Sequence, residues 1–202
     1  MMVHLANGLI EQGLNVDLVI VGGQTPFPEK LDSRVKQFNL QVKHVYQGLF
    51  PLISYLNNHL PDVVLSTRHK NITISLMAHL LAKQKNKRKL AIRLSGDISS
   101  SISGKNFIGK WLHKLPIRAL YNRSDVLISV SQGVAEDFQK MTSFPAHKIK
   151  VVHNPTVTED IFLLARQTVQ HTWFQDKQQP IILGVGRFTK RKDFQTLIRA
   201  FA

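Results

Sequence analysis

Apolar residues recur along this chain in two alternating rhythms, one helical and one extended. Met2, Leu5, Ala6, Leu9 and Ile10 fall at helical spacing, with Gly13 where such a helix would stop. Val16–Val21 is a β-branched run closed by Gly22-Gly23, the pattern of a buried strand. After a Pro-bearing loop, Val42–Tyr46 predicts a second strand, and Leu52, Ile53, Leu56 and Leu60 an amphipathic helix ended by Pro61. The alternation continues with strands over Val63–Ser66, Leu90–Leu94, Asp125–Val130 and Lys148–His153. Helices over Ile72–Lys83, Phe107–Arg123 and Gly133–Met141 lie between them. Short connections between strand and helix predict an α/β fold, a mostly parallel sheet with helices on both faces. Ligands of such sheets bind beyond the carboxyl ends of the strands, so functional residues are expected just after Ser66, Leu94, Val130 and Val185.

The rhythm weakens after Asn154-Pro155. Residues 155–179 are rich in Gln and Thr and read as an interdomain connector, followed by a new strand at Pro180–Val185 and a new helix at Asp193–Ala202. The division expected is therefore a first α/β domain over 1–154, a connector over 155–179, and the start of a second domain over 180–202. The pattern opens inside a helix, without the strand and glycine-rich turn with which such a domain should begin. It closes after one strand and one helix of the second unit. Both ends are expected to be truncated.

Composition narrows the function classes. The 202 residues include no cysteine, which excludes disulfide frameworks, thiolate catalysis and Cys-based zinc sites. The longest apolar runs, such as Leu49–Leu56, fall far short of the roughly 20 residues of a bilayer span, and no basic start with an apolar h-region marks a signal peptide. The nine histidines show no metal-ligand spacing, so no metal or other cofactor is expected. His69 and Lys70 alone fall in a loop just after a strand, near where a cleft would lie.

Charge changes the picture most. The formal net charge is +14, and Lys83–Arg123 holds eleven Lys and Arg against the single acid Asp97, which accounts for +10 of it. Such clustering implies a polyanionic neighbour. Ile108, Trp111, Leu112 and Leu115 form an apolar stripe flanked by Lys110 and Lys114, with Arg118 just beyond. Lys110, Trp111, Lys114 and Arg118 are therefore expected to touch an anionic membrane surface. Phe and Tyr are not interleaved with the densest basic residues, Lys83–Arg93, as a nucleic-acid stacking platform requires, so no nucleic-acid partner is expected. A non-catalytic basic module binding membrane or nucleic acid is the alternative reading, and a steep salt dependence on polyanions would mark it.

The sharpest motif is Gly184-Val185-Gly186-Arg187, directly after the apolar run Ile181–Val185 and followed by Lys190-Arg191-Lys192-Asp193. Glycines at a strand end let backbone approach a ligand, the bases suit phosphate, and Asp193 is placed to cap the helix that follows. The segments MMVHLANGLIEQGLNVDLVIV, PDVVLS, AIRLSGD, YNRSDVLISVSQGVAEDF, KIKVVHNP and ILGVGRFTKRKDFQTLIRAFA together resemble the N-terminal part of a GT-B glycosyltransferase of the family-4 group. The resemblance covers most of the chain, and its last three segments are the most specific.

That resemblance implies two Rossmann-like domains facing a cleft, with the acceptor-side domain first. It implies sugar transfer from a nucleotide-sugar donor to a glycan or lipid-linked acceptor, of hexosyltransferase type, with retention and without an essential metal. By the same resemblance, Gly186, Arg187 and Lys192 match the element that holds the donor diphosphate. Arg93, Ser95 and Asp97, with Ser131 and Gly133, match positions lining the acceptor cleft. The family's second-domain acidic element that contacts the donor sugar has no counterpart in these residues. The 202 residues alone are therefore expected not to turn over a nucleotide sugar. Cell-surface polysaccharide or glycolipid assembly, in the cytoplasm or peripherally on the inner face of the plasma membrane, is the setting implied.

Overall fold

The computed structural model describes residues 1–23, 27–96, 119–157, 159–175, 180–190 and 192–201. They form two compact units, Met1–Thr156 and Val157–Ala202.

The first unit opens with α1 (Met2–Glu11), which stops at Gly13, a residue at φ +81 that only glycine adopts without steric cost. Then come β1 (Asp17–Ile20), β2 (Lys36–Asn39), α2 (Leu49–His59), β3 (Val63–Thr67), α3 (His69–Leu81) and β4 (Lys89–Leu94). Residues 119–121 are helical, and β5 (Val126–Ser129), α4 (Gln132–Thr142) and β6 (Ile149–Val151) follow. Every strand pairing is parallel, as the alternating pattern predicted, in a two-stranded sheet β1-β2 and a four-stranded sheet β3-β4-β5-β6.

Helices cover both faces of β1. Leu18 packs with Ala6 and Ile10 of α1, while its neighbour Val19 packs with Leu52 and Leu56 of α2, because successive strand residues point to opposite faces. In β4 the five residues Leu90–Leu94 are all buried, the continuous burial of a central parallel strand. Leu90, Ile92 and Leu94 join Ile72 and Leu76 of α3 with Val134 and Phe138 of α4 in one core cluster. Ile74 and Ala78 of the same α3 belong to a second cluster beneath α2. This helix is buried on two faces because it meets two cores at once, with Ser75 and His79 buried among its apolar residues.

Two expectations from the pattern are corrected. The second strand is Lys36–Asn39, not Val42–Tyr46. It pairs only with β1, so one inward residue suffices: Phe38, whose ring lies 5.1 Å from Tyr55 and 4.7 Å from His59. The apolar residues further on enter a 3-10 turn at Val45–Gly48 after Gln41 turns the chain at φ +53. Next, residues 180–185 form no strand among the described residues. A strand exists only against a partner strand, and the described part of the second unit holds none. Residues 155–179, expected as a connector, include the helices α5 (Glu159–Ala165) and α6 (Thr172–Gln175), and α7 (Phe194–Ala200) closes the unit. Most of the helix expected over Phe107–Arg123 lies outside the described residues.

Candidate functional site

Because β3 to β6 run parallel, their carboxyl ends lie along one edge, where the loops carrying Thr67–Lys70, Ser95, Ser131 and Asn154 begin. Arg93, the penultimate residue of β4, organises this edge. It is 5% exposed and stands in register with Thr67 of β3. Its Nη1 donates to Thr67 Oγ1 at 3.5 Å, and its Nη2 donates to Asn154 Oδ1, beyond the end of β6. One guanidinium thus ties the second-ranked strand of the sheet to the segment leaving the fourth. Its burial lowers its pKa below the ordinary value, since a desolvated cation is disfavoured.

The loop after β3 carries the other basic groups. Arg68 is held at φ +68, a conformation that non-glycine residues adopt at a cost, and His69 and Lys70 follow it on the first turn of α3. The helix starts with no side-chain cap and no acid in its first turn. His69 Nδ1 lies 2.6 Å from the hydroxyl of Tyr121, whose ring is fully buried against Phe138. Burial raises the Tyr121 pKa, so its hydroxyl stays protonated.

Ser95 is exposed immediately past β4. Ser131 is the N-cap of α4: its Oγ accepts from the Val134 N–H at 3.3 Å, while its carbonyl accepts from Ser129 Oγ at 2.8 Å. A side chain at Gly133 would meet nothing within 4 Å, so no packing demand requires glycine there. Arg93, Ser95, Ser131 and Gly133 therefore do share one edge. Asp97, together with Lys110, Trp111, Lys114 and Arg118, lies outside the described residues.

In the second unit, the basic turn is built around two close approaches. A Cβ on Gly184 would lie 2.8 Å from Phe194 Cε1, and one on Gly186 would lie 3.2 Å from Lys192 Cδ. Gly186 thus rests on the aliphatic stem of Lys192, with Arg187 exposed beside them. Asp193 caps α7 as its position in the sequence suggested, accepting from the Thr196 N–H at 3.4 Å and the Thr196 hydroxyl at 2.8 Å. The two glycines thus make room for Phe194 and Lys192 of the same unit, and the turn leaves Arg187 and Lys192 exposed.

Residue patterns did not single out Arg68, Thr67 or Tyr121. A positive φ has no reliable sequence signature outside glycine, and Tyr121 meets His69 only because the chain crosses the sheet between them. Among the described residues, no group of three His, Asp or Glu side chains is placed to hold a metal ion. No helix among them is long and apolar enough to cross a membrane.

The family model described as Glycosyltransferase Family 4 matches residues 1–160, which include the whole of the first unit and its carboxyl edge. The chain belongs to glycosyltransferase family 4. A curated relative of this family-4 chain is the N-acetylgalactosamine-N,N'-diacetylbacillosaminyl-diphospho-undecaprenol 4-alpha-N-acetylgalactosaminyltransferase of Campylobacter jejuni subsp. jejuni serotype O:2. It is 30% identical over 129 residues, which are 64% of this chain and 33% of that protein. The crystal structure of a glycosyltransferase from Rickettsia africae ESF-5 shares the fold at a TM-score of 0.57 and 16% identity, over 81% of this chain and 41% of that one. The family-4 chain thus spans about a third of the curated relative and two fifths of the solved neighbour.

Proposed function

We propose that this family-4 chain contributes the acceptor-side domain and the diphosphate-binding corner of an enzyme that moves a hexosyl-type sugar from a nucleotide-sugar donor to a lipid-linked glycan, with retention. The observation that carries the reading is the family match over residues 1–160, the same residues that bring Arg93, Ser95, Ser131 and Gly133 to one edge. The name of the Campylobacter relative, whose acceptor is a diphospho-undecaprenol, supports the acceptor class. Gly186, Arg187 and Lys192 hold the donor diphosphate in this reading. Fixed cations there meet the charge that grows on the leaving group, so no metal is needed. The basic stretch that includes Lys110, Trp111, Lys114 and Arg118 rests the protein peripherally on an anionic cytoplasmic membrane face, in cell-surface glycan assembly.

The test is release of nucleoside diphosphate that depends on both a nucleotide sugar and a polyprenyl-diphosphate-linked glycan. Residues 1–202 alone are expected to give none. The chain extended to the length of the Campylobacter relative is expected to turn over, unaffected by EDTA, and Arg187→Ala in it to lower kcat on the order of a hundredfold. Full activity of Arg187→Ala would remove the donor-site assignment.

A further inference from the structure

We propose that the carboxyl edge of β3 and β4 is an anion site for a phosphate or diphosphate group, with Arg68, Lys70 and Arg93 as its cations. Its assignment to the acceptor rests on the glycosyl-transfer reading. The first support is the segregation of charge. Residues 64–70, 90–96, 126–133 and 149–156, which hold nearly all of the four strands and the segments that leave their carboxyl ends, contain no Asp or Glu. The acids of this sheet stand at the opposite ends: Asp62 precedes β3, and Asp125 precedes β5, where it pairs with Lys89 at 3.2 Å. The nearest acid in sequence to the edge is Asp97, outside the described residues.

The second support is Arg93 itself. A buried charge is costly unless paired, yet among the described residues its hydrogen-bond partners, Thr67 and Asn154, are both neutral. Thr67, in contact with Arg93, is followed directly by Arg68, so the buried cation and the exposed ones belong to the same corner. An anion arriving there gives Arg93 the counter-charge that its neutral partners do not supply. Arg68 and Lys70, both exposed, meet that anion from the solvent side. Arg93 supplies its charge from beneath the edge, its Nη1 and Nη2 already donating to Thr67 and Asn154. The strained φ of Arg68 is a cost that a ligand-binding role accounts for.

Inorganic pyrophosphate is the probe, titrated calorimetrically into the 202-residue chain at physiological salt. Arg68→Gln with Lys70→Gln is expected to weaken binding about tenfold or more. The equally basic pair Lys85→Gln with Lys87→Gln, near the amino end of β4, should leave this binding event unchanged. Arg93→Lys, checked for folding by its melting curve, should weaken it as well. Binding unaffected by the Arg68/Lys70 pair, lost equally in the Lys85/Lys87 pair, or removed only by Arg187→Gln would overturn the site. Detergent micelles carrying a polyprenyl diphosphate separate the two sources of the group. Tighter binding than to pyrophosphate means a lipid-borne anion, equal binding a free one, and either supports the site. The glycosyl-transfer reading stands or falls separately, on donor-dependent release of nucleoside diphosphate.

Discussion

His79 shows how a single side chain can set a pH dependence. It lies on α3 at 8% exposure, with Nδ1 unpaired among the described residues. Arg88 beside it donates from Nη2 to the Leu56 carbonyl at 2.7 Å, and its Nε and Nη1 have no partner among the described residues. Burial depresses the His79 pKa first, Arg88 and Lys85 add to it, and Asp125 opposes them. The unfolded chain therefore binds the proton before the folded one does. Stability from neutral His79 is complete above its ordinary value of about 6.5 and is lost as pH falls through that range. The urea midpoint is expected to drop between pH 7.5 and 5.5, and His79→Gln to flatten that drop. An unchanged pH slope in the variant would mean that other groups control it. The pattern of residues placed His79 on a helix, but its burial follows from α3 serving two core clusters, which no local pattern encodes.

At the scale of elements, burial separates positions of similar composition. Phe138 of α4 is fully buried, with ring contacts to Tyr121 at 5.8 Å and Phe144 at 5.6 Å. Phe138→Ala should cost about 3–5 kcal/mol in urea unfolding, from lost transfer energy and the cavity left behind. Phe50 is 77% exposed on α2, and Phe50→Ala should stay within about 0.5 kcal/mol. Equal losses in the two would mean that α4 does not pack as described. The helices read correctly from periodicity, such as α2 and α4, bury a face whose spacing repeats in the residues themselves, and β4 was legible as a mostly apolar run. β2 was missed because an edge strand with one inward aromatic has no period to read, while Val42 and Val45 carry strand-like residues through a turn. Of the candidate site, Ser95 and Ser131 were legible as residues that follow strands, and Arg93 and Gly133 through the family resemblance. Arg68 was not, since its φ is imposed by the passage from β3 into α3.

At the scale of the whole molecule, the two units differ in what holds them. Val126–Ser129 hydrogen-bonds to β4 on one side and β6 on the other. Residues 181–185 form no strand, and Ile182, Leu183 and Val185 are exposed. Amide exchange is expected to be fast over 181–201 relative to 126–129, because opening there breaks few buried contacts. Equal protection, read by mass spectrometry after a common labelling time, would contradict two units of unequal stability.

The order of strands and helices in the first unit, the parallel α/β class, the charge segregated toward one stretch and the family resemblance were all determined by the residues alone. Each of these is carried by spacing, composition or contiguous motifs, which a chain displays before it folds. Which strand pairs with which, that Arg93 is buried beside Asn154 sixty-one positions away, and that Tyr121 meets His69 were decided only by the tertiary structure. Those contacts join residues far apart in the chain, and only the sheet's hydrogen bonds and its shared cores bring them together.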